Sequence, residues 1–244
     1  MRGKKGFQFT LMMYFCLLSM QVLAADAAST SVEGKGDSLW YRIFKGFTLS
    51  PGISVKSPTF ELETKADGYS GRITASPGSL GFDLDLALRG FDIPGTVFGL
   101  TLFSHSASFY TYKQFDDNPD DSTMKDVGTK VTGWYSYLVP AVYYIKRENN
   151  RIFRLGGGIG YGALSYNGNL VLTDDGILPA SPTRTAVSGV AEAAWAYMVF
   201  YDIDFANSWR LRVFIGGPRS NDKDYRVQLD EFNIALSRRF TLIH

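Results

Sequence analysis

From Leu80 to Arg89 apolar and polar positions alternate without a break. Leu80, Phe82, Leu84, Leu86 and Leu88 fall on one side, and Gly81, Asp83, Asp85, Ala87 and Arg89 on the other. Residues two apart on a strand point the same way, so the segment is a ribbon with a greasy face and a charged face. A soluble sandwich would turn the greasy face to a core and the charged face to water. A closed barrel in a membrane would turn the greasy face to lipid and line its interior with the charges.

Seven further segments repeat the pattern. The eight alternating stretches cover 40–56, 79–90, 96–112, 131–147, 151–172, 184–203, 208–217 and 228–243. Their connections are of two kinds. Residues 91–95, 148–150 and 204–207 are tight turns, whereas 57–78, 113–130, 173–183 and 218–227 are longer and rich in Pro, Asp, Asn, Ser and Gly. Sorting by length predicts an all-β, transmembrane antiparallel barrel of eight strands, with short periplasmic turns and long extracellular loops. Residues 59–65 and 70–76 flank Ala66–Tyr69 and read as an extension of the first two strands; a ten-strand barrel is the alternative.

Facing follows from parity. The sixth segment presents Val187, Ala191, Ala193, Trp195, Tyr197, Val199 and Tyr201 outward, with Glu192 opposite. The seventh presents Trp209, Leu211, Val213 and Ile215, with Arg210 and Arg212 behind. The eighth presents Phe232, Ile234, Leu236, Phe240 and Leu242, with Glu231, Asn233, Ser237 and Arg239 behind. Arg238 breaks that pattern near the rim, where its head reaches polar headgroups. Trp40, Tyr41, Tyr143, Phe153, Tyr201, Phe205, Trp209 and Phe240 would form a periplasmic aromatic girdle, and Phe109, Tyr110, Tyr112, Tyr135 and Tyr225 an outer one.

The beginning of the chain bears on which solvent lies outside. Arg2, Lys4 and Lys5 precede an apolar run from Phe7 to Leu18, and Val22-Leu23-Ala24 supplies small-residue cleavage chemistry. Residues 1–24 therefore read as a signal peptide, too short in its apolar run for a span of ~20 residues. Residues 25–39 read as a flexible periplasmic lead and 40–244 as the barrel. The single cysteine, Cys16, lies in the leader, so the exported chain has no disulfide framework. The 25 basic residues less Arg2, Lys4 and Lys5 leave 22 against 24 acidic ones, which gives no basic field for nucleic acid.

Signal peptide, alternating strands, sorted loops, aromatic belts and the terminal strand FNIALSRRFTLIH together resemble the small outer-membrane β-barrel proteins of Gram-negative bacteria, the OmpA-barrel, OmpX and OmpW kind. The resemblance spans Trp40 to Leu242. It implies residence in the cell outer membrane, contact with outer-membrane lipid and lipopolysaccharide, and a last strand read by the barrel assembly machinery. In such families that strand commonly ends in an aromatic residue; here Phe240 fits, and Thr241–His244 extend past it.

Candidate chemistry is concentrated on the inward parity, shared by Arg42, Asp83, Asp85, Arg89, Arg154, Glu192, Arg210, Arg212, Glu231 and Arg239. Eight strands enclose a space that side chains fill, and buried charges must be paired. A salt-bridged plug follows, with the acids at mid-strand or higher and several arginines toward the periplasm; a selective polar pathway is the alternative. Gly156, Gly158, Gly160 and Gly162 share that parity, and GGGIGYG matches no nucleotide fingerprint. The missing side chains make room for Trp134 or Phe214, or for a small ligand cavity.

His105 with Ser106 is the candidate catalytic pair, with Ser104 and Ser108 nearby. Adjacent strand residues point to opposite faces, which argues against it. Residues 116–121 lack the ordered spacing and glycine of a calcium loop and read as a solvated loop; Asp174-Asp175-Gly176 reads as a turn. No cofactor or metal is implied. The chain is thus expected to be a non-enzymatic barrel serving envelope structure, loop-mediated interaction or limited small-molecule passage. The alternatives are an OmpW-like channel for small hydrophobic molecules, a lipid-modifying outer-membrane enzyme using His105 and a neighbouring serine, and a periplasmic lipocalin-like binder with apolar residues facing inward.

Overall fold

A computed structural model describes residues 47–74, 79–88, 98–119, 123–148, 151–205, 208–221 and 224–241. The expected signal peptide and lead, and with them Trp40, Tyr41 and Arg42, lie outside the described residues, as do Arg89 and Leu242. No helix among the described residues is long and apolar enough to cross a membrane.

Among the described residues twelve antiparallel strands make up one sheet. They are β1 (Thr48–Thr64), β2 (Ser70–Thr74), β3 (Ser79–Leu88), β4 (Phe98–Thr111), β5 (Lys113–Asp116), β6 (Thr123–Lys125), β7 (Lys130–Glu148), β8 (Arg151–Leu170), β9 (Thr185–Phe205), β10 (Trp209–Asn221), β11 (Tyr225–Arg238) and β12 (Phe240–Thr241). Eight of them close a ring in the order β1-β3-β4-β7-β8-β9-β10-β11, and β11 returns to β1 from Gly52↔Ser237 to Thr64↔Tyr225. The structure is therefore an eight-stranded antiparallel β-barrel, and the ten-strand alternative is excluded. Residues 59–64 continue β1, and β2 pairs back onto them, which makes this hairpin an extension of the wall.

The register fixes the geometry. Paired residues lead around the ring from Thr48 through Ala87, Thr101, Ala141, Gly158, Met198, Gly216 and Glu231 to Pro58, ten residues further along the starting strand. A stagger of that kind obliges the strands to tilt, and eight tilted strands enclose an interior that side chains fill.

Two boundaries differ from the sequence expectation. β1 runs past the expected end at 56 to Thr64, because its inward Phe60 and Leu62 pack into the core, while 40–46 of the expected first strand lie outside the described residues. β10 runs to Asn221 and β11 from Tyr225, so 218–221 and 225–227, expected as loop, are strand. β7, β8 and β9 are 19, 20 and 21 residues long, about twice the ~9–11 that a tilted crossing needs.

The outer face is apolar toward the short-turn end. Ile53, Leu80, Phe82, Val142, Leu155, Ile159, Val199, Ile215 and Ile234 are all exposed there. Phe98, Tyr144, Phe205, Trp209 and Phe240 are exposed near the short-turn ends of their strands. Arg238 is exposed as well, its guanidinium 5.4 Å from the Phe240 ring centre. Parity is reversed from the expectation at several places. Trp134 faces out, whereas Tyr143, Phe109 and Tyr135 are buried inside. Val187 is also inside, because β9 advances three residues, Ala194 to Ala191, where β8 advances two, Gly162 to Leu164. This β-bulge exchanges the two faces of β9 above it.

Beyond the apolar belt the interior is a hydrocarbon core of Phe60, Leu62, Phe109, Val131, Leu164, Tyr166, Val227 and Leu229. β2, β5 and β6 form a small sheet off β1 at this end. Gln114 ties it to the end of β8 by donating to the Val171 carbonyl at 2.5 Å and accepting from the Val171 N–H at 3.1 Å.

Candidate functional site

The inward positions of the belt carry two polar layers. The layer nearer the short turns contains Asp85 of β3, Arg154 of β8, Asp202 and Asp204 of β9, and Arg210 and Arg212 of β10, all buried. Arg210 donates to Asp85 and, through Nε at 2.7 Å, to Asp204. Arg212 reaches Asp85 at 2.9 Å and Asp202 at 2.6 Å. Arg154 reaches Asp202 at 2.8 Å and Asp204 at 3.3 Å, and Arg239 closes the rim on Asp204 at 2.8 Å. Thr101 donates to Asp85. Three buried guanidinium groups therefore face three buried carboxylates, each charge in contact with more than one opposite charge. This mutual arrangement offsets the cost of removing them from water. Arg212 also lies over the Phe103 and Phe200 rings, 4.8 and 4.4 Å from their centres.

Higher in the barrel the chemistry changes from guanidinium–carboxylate to mixed donors around two acids, Glu231 and Asp83. Tyr135 donates to Glu231, and Tyr137 donates to it at 2.8 Å. Lys56 Nζ donates to the Tyr135 hydroxyl at 2.7 Å. His105 Nδ1 is 2.6 Å from Asp83, and Nε2 is 3.3 Å from Glu231. Each ring nitrogen thus faces a carboxylate, an arrangement that a doubly protonated imidazole fills with two donors. Gly81 admits this ring, because a Cβ there would lie 2.5 Å from His105 Cε1.

Asp83, Asp85, Arg154, Arg210, Arg212 and Glu231 are brought together inside, with Arg239 at the rim. Arg42 and Arg89 lie outside the described residues, and the Glu192 side chain, at the bulge, is likewise not described. The acids do not all sit at mid-strand: Asp202 and Asp204 are among the lowest. Asp204 falls in 204–207, which reads as turn, whereas Asp202 lies within the expected strand 184–203 on the inward parity of Glu192, the signal that identifies it. Lys56, Tyr135 and His105 were also missed as network members. Lys56 continues the inward series Thr48, Ser50, Ser54, which is the signal that would have found it.

His105 and Ser106 point to opposite faces of β4, one buried and the other on the outside. Inside, Ser54 Oγ and His105 Cε1 each lie within 2.7 Å of where a Cβ on Gly81 would be, and both ring nitrogens of the histidine are engaged by acids. The glycine row of β8 accommodates neighbours other than those expected. A Cβ on Gly156 would lie 2.6 Å from Tyr143 Cβ and 2.8 Å from Phe200 Cζ, and one on Gly162 would lie 2.9 Å from Tyr137 Cβ. Phe214 is buried elsewhere on the wall and Trp134 is outside.

At the long-loop end Asp116 is buried instead of solvated. It pairs with Lys125 Nζ at 2.6 Å and accepts the Leu178 N–H at 3.0 Å and the Asn118 N–H at 3.3 Å. The Lys125 bond, followed by these backbone donors, holds its carboxyl below the usual carboxylate range. Residues 174–176 form a turn, with Gly176 at φ 78° and Asp175 accepting the Ile177 N–H at 2.9 Å. Among the described residues no group of His, Cys, Asp and Glu is placed to hold a metal ion.

No protein-family model and no curated relative matches the sequence. Solved structures similar to the chain include Ail, the attachment invasion locus protein of Yersinia pestis, in complex with the heparin analogue sucrose octasulfate. It is 14% identical, with 80% of this chain and 99% of that chain covered at a TM-score of 0.38. Neisserial surface protein A is 9% identical over 80% of this chain and 98% of that one, with a TM-score of 0.41. The outer membrane protease OmpT of Escherichia coli is 9% identical over 81% and 97%, with a TM-score of 0.44. The barrel architecture itself rests on the pairing of this chain's own strands.

Proposed function

We propose that the chain is an integral outer-membrane β-barrel with a sealed lumen, whose working surface is the wall and loops that extend beyond the belt at the long-loop end. The observation that carries the reading is the opposition of faces. An exposed apolar belt surrounds two buried ion-paired layers, and a hydrocarbon core lies above them. An apolar exterior around a charged interior is stable where the surroundings are lipid, and closure removes the edges that lipid would leave unsatisfied.

The partners in this reading are outer-membrane lipid and lipopolysaccharide at the belt, the barrel assembly machinery during insertion, and an extracellular partner at the loops. The role is non-enzymatic, in envelope structure or loop-mediated interaction. Passage of small molecules is disfavoured by Phe60, Leu62, Phe109 and Leu229 across the interior. The same filling weighs against a hydrophobic-solute channel along the glycine row. The belt weighs against a periplasmic lipocalin-like binder, which would place its apolar face inward.

Two measurements test this. The protein should fractionate with the outer membrane and run as a compact, heat-modifiable species in electrophoresis. Purified barrel in planar bilayers should give no steady conductance. Recovery in the soluble periplasm would refute the membrane reading, and a stable open conductance would refute the sealed lumen.

A further inference from the structure

On the outer wall, just beyond the apolar belt on the long-loop side, four strands frame a groove of about 220 Å³. Its lower edge is one row of paired residues: Trp195 of β9, Arg219 of β10, Gln228 of β11 and Glu61 of β1. On β9 and β10 this row lies four residues past the exposed Val199 and Ile215 of the belt. Asn221, Arg226 and Glu63 form the next outward row and complete the lining with Ser220 and Val227.

The polar groups of the lower row are held from below. Gly217 adds no side chain there, and Tyr197 and Asp230 meet across it, the phenol donating at 2.8 Å. Asp230 also accepts from Gln228 Nε2 and from Arg219 at 3.4 Å. The Arg219 guanidinium lies against the Tyr197 and Trp195 rings, 4.9 and 5.4 Å from their centres. Fixed in this way, the row keeps bonding capacity to spare. Arg219 Nε is buried without a partner. Gln228 Oε1 and the Glu61 carboxylate have no partner among the described residues, since Arg72, beside Glu61 in the ladder, turns to Asp117 at 3.2 Å.

Charge and bonding capacity together select a ligand class. Glu61, Glu63 and Asp230 outnumber Arg219 and Arg226, which disfavours a phosphate or sulfate. The two guanidinium groups in turn repel an ammonium. What stays free is a carboxylate and a carboxamide oxygen as acceptors, with guanidinium, indole and carboxamide N–H groups as donors. Adjacent hydroxyls, each donor and acceptor at once, satisfy such a mixed set, and the exposed Trp195 ring offers a surface for C–H groups. A saccharide carries both on one rigid frame.

We propose that the groove is a saccharide-binding site for one neutral pyranose ring. Glu61, Gln228, Arg219 and Asn221 bond its hydroxyls, and Trp195 packs on its C–H face. The site gives the long-loop wall a class of partner and rests on the reading that this end lies outside the cell.

The test uses the full-length barrel folded in a zwitterionic detergent without a sugar headgroup. It is titrated with the methyl glycosides of glucose, galactose, mannose and N-acetylglucosamine. In nuclear magnetic resonance spectra the Trp195 indole N–H, identified by its loss in Trp195→Phe, should shift saturably with at least one of them. Binding in the millimolar range is expected for a single ring. Glu61→Ala should weaken it about tenfold with the amide spectrum otherwise retained, because Glu61 has no partner to strand. Lipopolysaccharide added to lipopolysaccharide-free nanodiscs then separates the carriers: the same shift at lower concentration marks a lipid-borne sugar, and its absence a free glycan.

No response of Trp195 to any of the glycosides overturns the proposal, and so does a response that Glu61→Ala leaves unchanged. A shift with inorganic phosphate alone assigns the groove to anions and overturns it too. None of these outcomes depends on where the barrel resides. Recovery in the soluble periplasm would refute the outer-membrane reading and leave the titration standing.

Discussion

The two polar layers stabilise the same interior by different means. In the lower layer charge is distributed: Arg210 and Arg212 share Asp85, Arg154 and Arg212 share Asp202, and Arg154, Arg210 and Arg239 share Asp204. In the upper layer one carboxylate is the centre. Glu231 accepts from Tyr135 and Tyr137 and faces His105 Nε2, and Lys56 is attached through Tyr135. A mesh tolerates the loss of a node because each cation keeps a second acid. A hub does not, because its loss leaves several buried donors without acceptors in a medium where that is costly.

The largest effect should therefore come from Glu231→Gln, which removes the negative charge that faces His105 Nε2 and accepts from Tyr135 and Tyr137. Unfolding by urea in lipid vesicles should show a loss of roughly 3–5 kcal/mol. Asp85→Asn is the matched change in the mesh. Arg210 keeps Asp204 and Arg212 keeps Asp202, so about 1.5–3 kcal/mol is expected in the same assay. Equal losses for the two would show that the layers are not organised differently. Tyr137→Phe trims one of the donors to the hub while Tyr135 remains, and should cost about 1 kcal/mol.

A smaller and local effect belongs to Asp116, outside the belt. Its carboxyl is held below its unfolded value by Lys125 and two backbone amides, so the bonded form is favoured above the ordinary pKa of ~4. That contribution is lost as pH falls through the depressed value. Hydrogen exchange at the Leu178 amide should accelerate on acidification, ahead of any change in the belt. Asp116→Asn should give the faster rate already at neutral pH. The least consequence is expected for Ser106→Ala on the outer face of β4, within about 0.5 kcal/mol in the urea assay.

Much of the ring was legible because a strand buried on one face writes its facing into every second residue. Leu80 to Leu86, Trp209 to Ile215 and Phe232 to Leu236 all keep the outward parity assigned to them, as far as their side chains are described. The failures have two physical sources. Aromatic residues carry no facing of their own, so Tyr135, Tyr143 and Phe109 were placed in girdles by type although they fill the interior. Strand ends are set by what packs inside, and the sequence pattern near Asp204 and Pro218 looks like turn although both are paired strand residues. The site was half legible for a related reason. Charge on the inward parity is visible, but which acid meets which base depends on the ten-residue stagger around the ring, which no single strand records.

The bulge on β9 gives this barrel two reading frames. Below it odd-numbered residues face out, and above it even-numbered ones do, as exposed Val199 and Val190 illustrate. A deletion of one residue at the bulge would leave every downstream identity intact and still turn Val187 to the outside and Val190 to the inside. Grafting the upper walls of this barrel onto another stem, or the reverse, will therefore succeed only if the splice preserves phase as well as length. The extra residue acts as the frameshift that lets one continuous strand obey the rules of two solvents.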